Sequence, residues 1–425
     1  MGLWPERQRD PAWWARQVLD SPGEPEVAGY APGEVIPAEV AVYFGDDLPR
    51  LYQLNQWLPV LERLHARHPT VVVTRQKRTF SEVRARTSLR CVLTPSFHDL
   101  IELYATSEFK LALYVNNSMR NFQSLAGRRM LHVHINHGES DKWCMVSNQV
   151  KAYDRVFVAG PAAMLRHRAA LIEFDERKLV PVGRPQLDLR PEPVLPPTTR
   201  WTILYAPTWE GANQANNYTS LDVYGEAIVT TVLGLPGVRL VYKPHPLAAI
   251  SPTPAIATAH AHITSLIKTA ARRDPSAGHR IETGSDILAV FPGCDLMITD
   301  VSSVGLDFLY LHVDKPLLVT DRRNDREWLY GHAPVSRCAD IIDATTLPVL
   351  GSLLSQRLTD DAHRPAREAA RRHYFGELAP GESTQRFLAA VGQVIDDRDR
   401  ALGWPRPVPP AVMPAQTVGV GERHG

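Results

Sequence analysis

The feature that most restricts the fold is an alternation of short apolar runs with helical spacing. Runs of strand length stand at Val40–Phe44, Thr70–Thr74, Cys91–Thr94, Leu111–Val115, Met130–Ile135 and Arg155–Ala159. Between the first two, Leu54, Leu58, Leu61 and Leu64 recur at intervals of three and four residues, which puts them on one face of a helix. The alternation predicts βαβ units and a parallel sheet. It stops at the proline-rich stretch Arg190–Arg200 and resumes from Trp201 to about residue 345. A chain of 425 residues is too long for one ordinary core, so two Rossmann-like α/β halves are expected.

The expected divisions follow from that pattern. Residues 1–37, with Trp13-Trp14 among Pro and Gly, read as an irregular leader, and residues 38–190 as the first domain. Residues 201–345 read as the second domain and 346–402 as C-terminal helices, one of which could cross back to the first. Residues 403–425 repeat Pro and Gly without periodicity and read as a disordered tail.

Three strands empty into polar chemistry. Leu296-Met297-Ile298 is followed by Asp300, Ser302 and Ser303, and then by Leu306, Leu309 and Tyr310 at helical spacing. A helix start offers unpaired N–H groups and a positive dipole end, and two hydroxyls there suit a phosphate. The plainer reading of the serine pair is an ordinary helix cap. Val238–Pro246 places Lys243 and His245 two apart, on one side of an extended chain stiffened by Pro244 and Pro246. Lysine supplies a point charge and histidine a donor, both suited to a phosphate oxygen. Thr202–Trp209 has the same form. In open α/β sheets ligands bind beyond the carboxyl ends of the strands, where all three segments finish.

In order, Tyr205-Ala206-Pro207-Thr208-Trp209, Lys243-Pro244-His245-Pro246 and Thr299-Asp300-Val301-Ser302-Ser303 with Asp307-Phe308 resemble the CDP-glycerol glycerophosphotransferases. Lys315-Pro316 and His137-Gly138 fit the same pattern. Those enzymes build teichoic-acid-like chains on a GT-B fold, two Rossmann-like domains facing a cleft. Two departures stand out. Val301 replaces a usual aromatic, and Glu139-Ser140-Asp141-Lys142 stands where Thr-Pro-Leu-Lys is usual.

The resemblance implies transfer of glycerol phosphate, or a similar polyol phosphate, from a CDP-activated donor to an acceptor hydroxyl, with release of CMP. The acceptor would be a cell-envelope glycopolymer or a lipid-linked chain. His137 is then the candidate base and His245 a second catalytic group. Lys243, His245, Ser302 and Ser303 would neutralise the pyrophosphate. Asp300 would orient His245 or the serine loop, and Asp307 and Thr208 would meet the ribose or brace the loops. The scheme needs no metal and no cofactor.

Net charge of +1 argues against a nucleic-acid partner. No stretch reaches the apolar length of a membrane span, and no signal peptide opens the chain. Cys91, Cys144, Cys294 and Cys338 show no CxxC pairing and read as reduced thiols in or near the core. A cytoplasmic enzyme is expected, with peripheral contact at the inner face of the membrane. The basic run Arg75, Lys77, Arg78, Arg84, Arg86 and Arg90 reads most simply as a solvated face.

Three rival readings follow from the same residues. His132-Val-His134-Ile-Asn136-His137 nearly matches the HxHxDH motif of zinc-dependent hydrolases, with an amide where a carboxylate ligand is needed. A GT-B sugar-nucleotide transferase or UDP-sugar epimerase would keep the fold and change the donor. An inactive GT-B-like binding protein would leave the phosphate clamp without chemistry.

Overall fold

The computed structural model describes residues 29–403. Most of the expected leader, with Trp13-Trp14, and the tail from residue 404 lie outside the described residues.

The first domain carries seven strands, β1 (Val40–Phe44), β2 (Thr70–Thr74), β3 (Arg90–Leu93), β4 (Leu111–Tyr114), β5 (Leu131–His134), β6 (Arg155–Val158) and β7 (Leu179–Pro181). Their order is β3-β2-β1-β4-β5-β6-β7, all parallel. The sequence pattern missed β7, a three-residue edge strand ending in proline, which lacks both the length and the apolar run that mark a strand. The second sheet comprises β8 (Trp201–Ala206), β9 (Val238–Tyr242), β10 (Arg280–Ile281), β11 (Leu296–Thr299), β12 (Leu317–Thr320) and β13 (Asp340–Ile342). Its order, β10-β9-β8-β11-β12-β13, is also wholly parallel. The chain is thus an α/β protein of two Rossmann-like sheets.

Alternation along β1 shows why these strands are apolar throughout. Val40, Val42 and Phe44 face a core with Leu54, Leu58 and Leu61, while Ala41 and Tyr43 face another with Leu100 and Leu103. Both faces are covered, so no position is left for a polar side chain. The strand order reverses between β1 and β4 and again between β8 and β11, the places where such sheets open a crevice at their C-terminal edge.

The Pro-rich connection does not swing free, because Leu195 is buried in the second core and Val194 donates its N–H to Ala289 O. The last helix, Glu382–Ala401, returns to the first domain. Its Phe387 ring lies 5.2 Å from Trp57 and its Asp399 meets Lys110 at 3.0 Å. Of the cysteines, Cys294 and Cys338 are buried, but Cys144 is exposed, on the loop where the two domains meet. Among the described residues, no helix is long and apolar enough to cross a membrane.

Candidate functional site

The segments expected to meet a phosphate gather at the C-terminal ends of β8, β9 and β11. Backbone bonds knit these ends together: Lys243 N–H donates to Tyr205 O at 2.9 Å and His245 N–H to Pro207 O at 3.1 Å. The helix Ser303–Leu311 begins after β11 with Ser302 as its extended N-cap residue. The expected capping bond is not made. Ser302 Oγ turns instead to Thr299 Oγ1 at 3.1 Å, so no side chain covers the first N–H groups of this helix. Lys243 Nζ has no hydrogen bond or ion pair among the described residues, and burial lowers its pKa against the pull of Glu282 and Asp286.

His245 is fixed by its own turn. Leu247 N–H donates to its Nδ1 at 3.1 Å, so the neutral ring carries its proton on Nε2 and can donate it outward. Trp209 stacks on the ring at 5.9 Å, and Tyr52, just after β1 in the first domain, meets it edge-on at 4.9 Å. The same Tyr52 ring meets His137 edge-on at 6.0 Å. One phenol therefore sits against both candidate catalytic histidines, one from each domain. Burial pushes both imidazoles toward the neutral form. His137 falls to about 4, with Arg184 and Lys142 adding positive charge, and His245 falls well below its ordinary value, with Lys142, His137 and Lys243 adding to burial.

His137 sits in a tight turn after β5. Asn136 adopts a left-handed φ of 53° and its Oδ1 accepts His137 N–H at 2.8 Å. Gly138 then abuts the start of the Ser303–Leu311 helix directly. A Cβ at this position would lie 2.9 Å from Ser303 Cβ, so the loop and the helix start approach only because residue 138 lacks a side chain. Thus His137, Ser302, Ser303 and His245 share one interdomain cleft.

Two of the expected site acids turn out to be braces. Asp300 is 1% exposed and accepts from Thr208 N–H at 2.7 Å, Thr320 Oγ1 at 2.6 Å and Ser220 N–H at 3.2 Å. Neither His245 nor the serine pair is among its partners, because these donors already surround the carboxylate. Asp307, also 1% exposed, was expected at a ribose hydroxyl. Both its oxygens instead accept from Arg184 of the first domain, at 3.1 and 2.8 Å. Thr208 makes a loop contact, since its Oγ1 accepts from Lys142 Nζ at 2.9 Å.

Three positions at the cleft escaped the sequence reading. Arg184 holds Asp307 and also donates to His137 O at 2.8 Å, so it ties the helix start to the histidine turn. Lys142 reaches across the cleft to Thr208. Its signal was present, because the departing segment Glu139–Lys142 keeps lysine in its fourth place. Tyr52 had no signal beyond an aromatic in a helical run.

The zinc reading does not survive the geometry. His132 is committed to Tyr114 OH at 2.7 Å and Gly127 O at 2.8 Å. Among the described residues, no three His, Cys, Asp or Glu side chains are grouped to hold a metal. His132 and His134 share one face of β5, whereas His137 lies in the turn beyond its end.

Two parallel-sheet domains that turn their strand ends toward one cleft, with a lysine, a histidine and a bare helix start on the second, define a GT-B-type architecture. Residues 141–325 match the profile of the family described as CDP-glycerol:poly(glycerophosphate) glycerophosphotransferase. The resemblance read from Tyr205–Trp209, Lys243–Pro246 and Thr299–Ser303 therefore holds over the segment that carries them; His137 lies just outside it. Among solved structures, the wall teichoic acid polymerase TagF, soaked with CDPG, is similar at a TM-score of 0.55 and 14% identity, covering 85% of this chain and 89% of that one. A Listeria monocytogenes protein assigned as a UDP-N-acetylglucosamine 2-epimerase gives 0.56 and 14%, over 86% and 98%. HepE of Anabaena, solved with UDP and glucose, gives 0.51 and 10%, over 84% and 100%. At these identities the likeness is one of fold. No curated protein matches the sequence.

Proposed function

We propose that this protein is a CDP-glycerol glycerophosphotransferase, which moves glycerol phosphate from CDP-glycerol to a hydroxyl of a cell-envelope glycopolymer. The observation that carries the reading is the coincidence of the family match with the cleft: the matched segment supplies Lys243, His245, Ser302 and Ser303. In the reaction the acceptor oxygen bonds to the glycerol-bearing phosphorus and the bond from that phosphorus to the CMP oxygen breaks. His137, neutral at working pH, takes the hydroxyl proton. Lys243, Ser302, Ser303 and the open N–H groups of the helix start balance the phosphate charge in a water-poor clamp. His245, with its proton on Nε2, donates to a phosphate oxygen or to departing CMP. Asp300, Thr208, Lys142, Arg184 and Asp307 hold the two halves of this arrangement together.

On this reading the acceptor is a lipid-linked chain and the enzyme works in the cytoplasm, against the inner face of the membrane. Exposed Leu48, Phe97, Met119 and Phe122, interspersed with Arg50, Arg75 and Arg120 along the C-terminal edge of β1–β4, support such contact.

The test is CMP release from CDP-glycerol in the presence of a teichoic-acid-type acceptor. Release that disappears in His137→Ala and His245→Ala supports the reading. Turnover of a UDP-sugar with none of CDP-glycerol overturns it in favour of a sugar-nucleotide enzyme.

A further inference from the structure

Beneath the Asn136–Gly138 turn lies a small, largely enclosed cavity of about 30 Å³ at the C-terminal ends of β5, β6 and β7. Its wall includes Trp57, His134, Arg166 and Gln186, with Asn136 and Gly138 above them. The wall is mostly apolar, yet several buried polar groups stand in it. His134 is 2% exposed and neither of its ring nitrogens makes a hydrogen bond of good geometry, although the Asn116 backbone lies close enough to raise its pKa against burial. Gln186 is wholly buried, and both its amide oxygen and its amide nitrogen are likewise without partners. Arg166 adds an unpartnered Nε. Buried polar groups are almost always satisfied, by protein or by ordered water.

We propose that this cavity is an internal water site, and that through it His134 and Gln186 act as positioning residues for the turn that carries His137. The size fits, since a water needs about 10–15 Å³ of such space, which leaves room for about two. The chemistry fits too. A neutral imidazole and a primary amide each offer a donor and an acceptor, which is what a water molecule can satisfy. An anion is disfavoured, because Arg166 is already neutralised by Glu139 and by Asp141 at 3.3 Å. A polyol is too large.

The consequence for the site follows from what stands on the cavity. Asn136 and Gly138 flank His137 and form part of the wall, and Arg184, also in the wall, holds His137 O. On the opposite side Gly138 abuts Ser303. The waters therefore set the height of the turn between the sheet below and the phosphate-binding helix above.

The site is tested by Gln186→Met, which keeps the volume and removes both amide atoms, alongside a crystal structure of the full chain at a resolution that shows water. We expect ordered water bonded to Gln186 and His134 in the unmodified protein. In Gln186→Met we expect a melting midpoint lowered by about 2–4 °C and a displaced Asn136–Gly138 turn. Where CMP release is measured, kcat falls ~10-fold with the KM for CDP-glycerol nearly unchanged, and His134→Gln loses less than His134→Leu. A dry cavity, a turn that stays in place, or a midpoint that is unchanged or raised overturns the proposal. A raised midpoint is what removing an orphan amide from a dry cavity produces. The kinetic arm alone rests on the transferase reading. If CDP-glycerol is not turned over while water, midpoint and turn behave as expected, the water site stands and that reading falls.

Discussion

Replacing Asp307 by asparagine isolates the electrostatic link between the two domains. Asp307 and Arg184 form a two-pronged pair in which the side chains are only 1% and 5% exposed. With charge centres about 4 Å apart and an effective dielectric near 20, their attraction is about 4 kcal/mol. Asparagine keeps the shape of Asp307 and removes its charge; its one amide oxygen can still accept one guanidinium N–H, but its NH2 faces the other and no anion balances the buried Arg184. Breaking a buried pair on one side costs about 3–5 kcal/mol, so Asp307→Asn should lower unfolding free energy by about that amount in urea titration. The net worth of the whole pair is much smaller. Both charges must be desolvated to form it, and burial raises the pKa of Asp307 even with Arg184 beside it. The double variant Arg184→Met/Asp307→Leu should therefore recover most of the stability lost by Asp307→Asn. It should not recover CMP release, because the tie from Arg184 to His137 O is gone. The reasoning fails if Asp307→Asn lies within about 0.5 kcal/mol of the unmodified protein, the range of an ordinary surface substitution.

Other perturbations read out different parts of the cleft. Gly138→Ala places a Cβ 2.9 Å from Ser303 Cβ and should reduce CMP release ~100-fold by spreading turn and helix, with the far-ultraviolet circular dichroism unchanged. Lys243→Ala should weaken CDP-glycerol binding ~10- to 100-fold by calorimetry, and high salt should weaken it less in the variant than in the unmodified protein. His134 is held at about 3 by burial, with the charges of His167 and His137 adding to it. A histidine with a depressed pKa contributes stability that is complete above about 6.5 and is lost as pH falls toward the folded value. At pH 5 the loss is on the order of 2 kcal/mol, so the stability of His134→Phe should fall less between pH 7 and pH 5 than that of the unmodified protein. Asp141 works in the opposite sense. Burial lifts it to about 6, so it favours the fold at low pH and loses that contribution as pH rises from about 4 to 6; in urea titrations Asp141→Asn should lose less stability between pH 4 and pH 7 than the unmodified protein.

What the sequence determined by itself is local and periodic. Continuous apolar runs such as Val40–Phe44 and Thr70–Thr74 could only be strands covered on both faces, and their spacing with helical segments could only give parallel sheets. The strand-end chemistry was legible for the same reason. Lys243, His245, Ser302 and Ser303 lie within a few residues of the strands that present them, so chain direction alone puts them at one edge. The tertiary structure decided which charges are spent and which are free. Asp300 and Asp307 looked as available as Lys243 until packing gave them Thr208, Thr320 and Arg184, a partner 123 residues away in the other domain. Tyr52 had nothing to mark it until domain closure set His137 and His245 against one ring. The physical reason is that periodicity reports which face of an element is buried, whereas a polar side chain is defined by its partner. Across two domains that partner is chosen by the docking of surfaces that no local pattern encodes.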